Sequence, residues 1–219
     1  MASCAAISGK RPEAVARPGL DFALERSLLA GGHRLIAGLD EVGRGPLAGP
    51  VVAAAVVLDP ARIPEGLADS KALSANRRER IAAAILESAH VGIGTASPAS
   101  IDRLNIRGAT LRALCRALAA LPCRPDLALV DGRDVPDFPC AARAIVRGDA
   151  SVASIAAASI VAKVVRDRMM ARLGAHLPAF GFERNAGYPT ASHRAALRAA
   201  GPTSFHRLSF APCREARDP

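Results

Sequence analysis

The stretch GLDEVGRGPLAGPV, residues 38–51, sets Asp40 and Glu41 side by side at the end of an apolar run and follows them with a glycine-rich loop. Two more acids have the same setting: Asp131 ends the run LALVD and Asp149 comes just beyond ARAIV. Each has an ordinary explanation alone. Asp131-Gly132 reads as a turn dipeptide, and Asp149 as the cap of a helix beginning near Ser151. Together they imply more. Acids at the ends of neighbouring strands converge on one sheet edge, where packed negative charges repel unless cations neutralise them. Oxygen donors without a partnering His or Cys select hard ions such as Mg²⁺ or Mn²⁺. Two such ions ~3.5–4 Å apart can activate a water and stabilise the leaving oxygen of a phosphodiester. Asp69, ahead of Ser70 and Lys71, is a weaker candidate for the rim of such a site, because ADSKALS also reads as the approach to a helix.

The loop GRGPLAG begins like a dinucleotide fingerprint, but that motif must lead from a strand into a helix. Here Pro46 and the β-branched run from Val51 lead into another strand, and no G-K-[ST] follows, so a Walker loop fails as well. Alone, the loop would be a tight hairpin connection. Next to two adjacent acids it becomes a candidate for bringing backbone amides close to a phosphate that metal ions make tolerable.

These groups need a sheet to carry them. HRLIAGLD (33–40) and PVVAAAVVLDP (50–60) read as buried strands joined by a short loop, hence as a hairpin. HVGIGTAS (90–97), DLALVDG (126–132) and ARAIVRGD (142–149) are further strands. DFALERSLLAGG (21–32) is a lead-in helix, and 74–89 a helix capped by Ser74 with an apolar stripe of Ile81, Ile85 and Leu86. Helices are also expected over 101–121, 151–176 and roughly 190–200. The order predicts one α/β domain over 21–212 with a mixed sheet and a helical C-terminal extension, flanked by tails at 1–20 and 213–219.

Half of the 219 residues are hydrophobic, enough for one core, yet aromatics are only 3%, so Ala, Val, Leu and Ile must build it. No apolar run reaches the ~18–20 residues of a membrane span, and the N-terminal 20 residues lack the apolar stretch of a secretory signal. Five cysteines with no C-x-x-C pair support neither a disulfide framework nor a zinc knuckle, which points to a reducing cytoplasm. A formal charge of +9 favours a polyanionic partner, although arginine-rich solvated helix faces would give the same figure. Only three of the 29 cations are lysine, and two of these, Lys71 and Lys163, lie outside the N-terminal tail.

IAGLDEVGRGPLAGPVVAAAVVLDP, GLADSKALS, IDRLNI, LVDG, VRGDASVASIAAASIVAKVVRD and GFERNAGYPTASH follow one another in the order and spacing of ribonuclease HII, the bacterial type 2 ribonuclease H. The chain resembles that family over about residues 22–212. The resemblance implies a ribonuclease-H-like fold, a five-stranded mixed sheet flanked by helices. It implies an endoribonuclease that hydrolyses the RNA strand of RNA–DNA hybrids and cuts 5′ of ribonucleotides embedded in duplex DNA, leaving 3′-hydroxyl and 5′-phosphate ends. By the same resemblance Asp40, Glu41, Asp131 and Asp149 are the catalytic carboxylates and metal ligands, with Mn²⁺ or Mg²⁺ as cofactor. Gly43, Arg44 and Gly45 match a loop that contacts the backbone at an RNA–DNA junction. Lys71 matches a lysine near the scissile phosphate, Lys163 lies in the matching helix motif, and Tyr188 matches a tyrosine that reads the junction. Ala72 and Ala186 stand where some relatives carry a basic residue. A monomer is expected, with a replication clamp as a conceivable partner. A junction resolvase of the same fold would lack GRG and GYPT, and a non-catalytic hybrid-binding protein would not need the complete acid set.

Overall fold

Every residue of Val51–Leu58 is apolar and every one is buried, as in a strand covered on both faces. In the computed structural model, which describes residues 20–217, this strand (β2) pairs antiparallel with β1 (Ile36–Val42) and with β3 (Ala89–Ala96). On its other side β1 runs parallel to β4 (Leu127–Asp131), and β4 to β5 (Ala141–Ile145), giving the order β3-β2-β1-β4-β5. The expected mixed sheet and its hairpin are both present.

Alternation along β2 assigns its two faces. Val51, Ala53, Ala55 and Val57 join Ala109, Ala113 and Ala117 of helix α3 (Pro98–Ala119). Ala54, Val56 and Leu58 join Ile81 and Ile85 of α2 (Ala75–Ser88) and Ala157, Ile160 and Val161 of α4 (Ala153–His176). With so few aromatics, the layers close by near contact of backbones. A Cβ on Gly38 of β1 would strike the Ser154 and Ile155 backbone, so α4 lies directly against the strand that carries Asp40. Helix α1 (Ala23–Ala30) lends a side chain here: Glu25 Oε1 accepts from the Ser154 N–H at 2.8 Å, satisfying an amide in the first turn of α4. Three short helices complete the chain, α5 (Phe182–Asn185), α6 (Ala191–Ala200) and α7 (Ala211–Arg217). They enclose a small core of Phe180, Phe182, Leu197 and Cys213 against Leu47 and Met170.

Several expectations need correction. β1 continues to Val42, so Asp40 and Glu41 lie inside the strand, where the ladder with Ala54 and Ala53 holds them, and not at its end. β5 stops at Ile145 and is mostly exposed, because it is the sheet edge; Asp149 is carried by a separate 3-10 turn, Gly148–Ala150. The helix after it begins at Ala153, and its first-turn amide is served by Glu25 and not by Asp149. Leu86 leaves the apolar stripe of α2 and is 54% exposed, whereas Ile81 and Ile85 are buried. Residues 211–217 are helical and Cys213 is buried, where a tail was expected from 213. Apart from Leu20, the N-terminal tail lies outside the described residues, as do 218–219.

Candidate active site

Parallel pairing brings the acids together. Leu39 of β1 is in register with Val130 of β4, so the next residues, Asp40 and Asp131, emerge at the same edge of neighbouring strands. Asp40 is nearly buried and its Oδ1 accepts from the Glu41 N–H at 2.7 Å. Asp131 Oδ1 accepts from the Gly148 N–H at 2.7 Å, which ties the end of β4 to the turn bearing Asp149. Arg147, in the left-handed region at φ 59°, makes that turn possible. From α4, Ser159 reaches the same place: its hydroxyl lies 2.7 Å from that of Ser70, and both line the cleft beside Asp40.

Asp40, Glu41, Asp131, Asp149, Lys71, Lys163 and Tyr188 all line one cleft of about 330 Å³. The ten site residues expected from sequence therefore fall in one neighbourhood, with Gly43, Arg44 and Gly45 on the loop that borders it. Lys71 Nζ stands 3.6 Å from Asp149 Oδ2 at the exposed mouth, while Lys163 Nζ donates to Asp167 Oδ1 at 2.7 Å. Asp69 is not among the residues lining the cleft: its Oδ1 accepts from the Lys71 N–H at 2.9 Å, holding the turn that presents the lysine.

Electrostatics make the cleft costly to hold with every acid ionised. Burial, then the charges of Glu41 and Asp131, push the Asp40 carboxyl well above the usual range. Burial raises Glu41 as well, against the pull of Arg44, whose Nη1 lies 3.3 Å from Glu41 Oε1. Burial and Asp149 raise Asp131. Partial burial opposes the Lys71 ammonium, yet Asp149, Asp69 and Asp40 outweigh it and raise its pKa. Among the described residues no three acid, His or Cys groups already close into a ligand shell. The donors are nonetheless all carboxylate oxygens facing an open cleft, a set that fits Mg²⁺ or Mn²⁺ retaining some of its water.

Behind the loop stand two side chains that the motif reading missed. Arg166 and Arg207 are fully buried. Arg207 donates to the carbonyls of Gly43 (2.5 Å), Arg44 (2.8 Å) and Gly49 (3.0 Å). Arg166 donates to Pro50 (2.9 Å), Ala48 (3.2 Å) and Ala186 (3.0 Å). Gly43 has φ 93° and a Cβ there would collide with the Arg166 side chain, so its glycine answers to packing. Gly45 differs: an added Cβ would meet only Tyr188 Cε1, at 3.7 Å. Tyr188 itself is 43% exposed. The signal for Arg166 was present, one helical turn beyond Lys163 on a buried helix; Arg207 in FHRLSF gave none.

The sequence profile described as Ribonuclease HII matches residues 37–213. The chain belongs to the ribonuclease HII family. It is 62% identical over 197 residues to ribonuclease HII of Xanthobacter autotrophicus, covering 90% of this chain and 79% of that protein. Against ribonuclease HII of Rhizobium etli the figures are 54% over 199 residues, 90% and 87%. Among solved structures, ribonuclease H2 from Pyrococcus horikoshii superposes with TM-score 0.72 at 25% identity, over 84% of this chain and 98% of that one. Ribonuclease HII from Archaeoglobus fulgidus, solved in a complex with PCNA, gives TM-score 0.70 at 29% identity, over 81% and 95%. As a ribonuclease HII the chain is a hydrolytic endoribonuclease, dependent on a divalent metal and acting on RNA–DNA hybrids. Its five-stranded sheet with flanking helices is the ribonuclease-H-like fold. Among the described residues no helix is long and apolar enough to cross a membrane.

Proposed function

We propose that this ribonuclease HII cuts on the 5′ side of ribonucleotides embedded in duplex DNA, as well as within the RNA strand of hybrids, leaving 3′-hydroxyl and 5′-phosphate ends. The observation that carries this is the exposed Tyr188 ring beside Gly45, on the wall of the cleft that holds the four acids. A flat apolar face there can rest on the sugar that follows the ribonucleotide, while loop amides and Arg44 hydrogen-bond the 2′-hydroxyl that separates RNA from DNA. Asp40, Glu41, Asp131 and Asp149 would hold two Mg²⁺ or Mn²⁺ ions, which supply an activated water and charge stabilisation of the leaving oxygen when bound. Asp40 and Asp131 contribute as charged ligands whose mutual repulsion the ions relieve. Lys71 at the mouth offers a point charge to a phosphate next to the cleaved bond. Lys163, tethered to Asp167, steadies the inner wall. Ribonucleotide-containing duplex and hybrid are thus the substrates, bound by a monomer, and a sliding clamp is a partner to test by co-elution from a sizing column.

The deciding experiment is a DNA duplex with one central ribonucleotide, incubated with Mg²⁺ and separately with Mn²⁺, with both product ends mapped. A single cut 5′ of the ribonucleotide is expected. Cleavage of a continuous RNA strand with none at the isolated ribonucleotide would refute the junction reading.

A further inference from the structure

Two guanidiniums buried side by side are costly, because each is stripped of water and repels the other. Burial, and then the like charge of Arg166, push the Arg207 guanidinium down to about 9. No carboxylate forms a salt bridge with either among the described residues; their hydrogen-bond acceptors are six main-chain carbonyls, and the Arg207 guanidinium also lies 5.3 Å over the Phe210 ring. The elements they join also share main-chain bonds, Leu47 N–H to Gly187 O and Gly49 N–H to Phe205 O, both at 2.8 Å, and the arginines add the carbonyls on either side of these. Arg207 follows α6, Arg166 lies in α4, and their acceptors lie on the 43–50 loop and on Ala186, two residues before Tyr188.

The geometry of the peptide group supplies the next step. In a trans peptide the C=O of one residue and the N–H of the next point in opposite directions. Arg207 draws the Gly43 and Arg44 carbonyls inward. The N–H groups of Arg44 and Gly45 are therefore aimed away from the buried guanidinium. Arg166 acts in parallel, fixing Ala186 to the loop through Ala48 and Pro50 and so setting where the Tyr188 ring stands relative to Gly45. Arg207 is itself held, since its own N–H donates to Leu47 O at 2.8 Å and the following Leu208 and Ser209 amides donate to Asp102.

We propose that Arg207 and Arg166 are positioning residues that orient the Arg44 and Gly45 amides and the Tyr188 ring as one rigid substrate-reading surface. The proposal deepens the junction reading above and rests on it for its effect on cleavage. Neither arginine touches substrate, so metal binding by the acids is independent of them. A lysine at either position keeps the charge but cannot span three carbonyls with a planar fork.

The test uses the full chain with Arg207→Lys and Arg166→Lys, read in three ways. Mn²⁺ titration of each variant should match the parent. Amide hydrogen exchange should rise about tenfold or more over 43–49 and 186–188 while β1 and β4 stay protected. On the single-ribonucleotide duplex kcat should fall on the order of 30-fold with KM within about threefold, because misplacement of a bound substrate costs turnover more than binding. A continuous hybrid should lose much less. Loop exchange equal to the parent's would overturn the proposal, as would equal losses on both substrates tracking a fall in Tm. Failure of both variants to fold would also overturn it, showing the pair to be a folding element only. If the parent itself leaves the single ribonucleotide uncut, the junction reading fails while the exchange result still decides the loop.

Discussion

At the scale of single residues, the acids work against the fold that holds them. Asp40 is buried beside Glu41 and Asp131, and its carboxyl is pushed upward first by burial. The sign follows from linkage: a group with a raised folded pKa contributes most below its unfolded value, and that contribution is lost as pH rises through the folded pKa. Without metal, holding Asp40 ionised in this setting therefore opposes folding. Asp40→Asn should abolish cleavage by several orders of magnitude, yet its metal-free Tm should be at least the parent's, since Asn can still accept from the Glu41 N–H. A clearly lower Tm, or near-normal turnover, would refute this account of the site. Tyr188 gives a second residue-scale expectation. Its exposed ring carries little of the core, so Tyr188→Ala should leave Tm within a few degrees while single-ribonucleotide cleavage falls far more than hybrid cleavage. Tyr188→Phe keeps the flat face and should lose less. Parallel loss of both activities with a falling Tm would make the ring structural.

Elements, in turn, are fastened by contacts that no local motif announces. His193 Nδ1 faces the Tyr188 carbonyl at 2.9 Å, so it carries the proton and donates. His206 Nδ1 accepts from the Thr203 N–H at 3.0 Å, which leaves its Nε2–H to donate across 3.1 Å to His193 Nε2. Both imidazoles are thus needed neutral, and a proton on either would set two N–H groups face to face. Burial, then His193, depresses His206 from 6.5 to about 4, and burial depresses His193. With folded pKa below unfolded, the unfolded chain binds more protons between about 6.5 and 4, so stability falls as pH drops through that window. His206 alone accounts for a loss on the order of 3 kcal/mol by pH 4. Denaturant midpoints at pH 7 and pH 5 should therefore differ more for the parent than for His206→Gln; equal differences would discard the neutral pair. In the glycine loop, Gly43→Ala combines a positive φ with a collision against Arg166. It should cost about 1–3 kcal/mol of stability, whereas Gly45→Ala should leave stability nearly unchanged and act on cleavage alone. The reverse ranking would contradict the division of labour between packing and substrate access.

Across the whole molecule, a formal charge of +9 coexists with a cleft of four acids. On the reading proposed above, the net positive charge would favour approach of a polyanionic duplex, and metal held by the acids would let a phosphate enter the cleft. Hybrid binding by inactive Asp40→Asn should therefore weaken at least about tenfold between roughly 50 and 200 mM salt, since arginine contacts to phosphate release counterions. Binding insensitive to salt would remove the basic surface from the mechanism. Much of this architecture was readable in the chain. The unbroken apolar run of β2, the Ser74 cap accepting from Arg77 and the acids near strand ends are local patterns, each fixed by propensity, burial or turn chemistry within a few residues. The four acids could be singled out from residue type and spacing, and crowded carboxylates are the donor set a hard divalent ion prefers. What the sequence could not supply was whatever depends on a partner far along the chain. That β1 lies parallel to β4, so that Asp40 and Asp131 share an edge, is a property of the crossover through α3. That Glu25 and not Asp149 serves the start of α4, and that Arg207 holds Gly43 from 164 residues away, are decided by packing. A buried guanidinium looks in sequence like any surface arginine, and only the carbonyls that surround it after folding reveal what it holds.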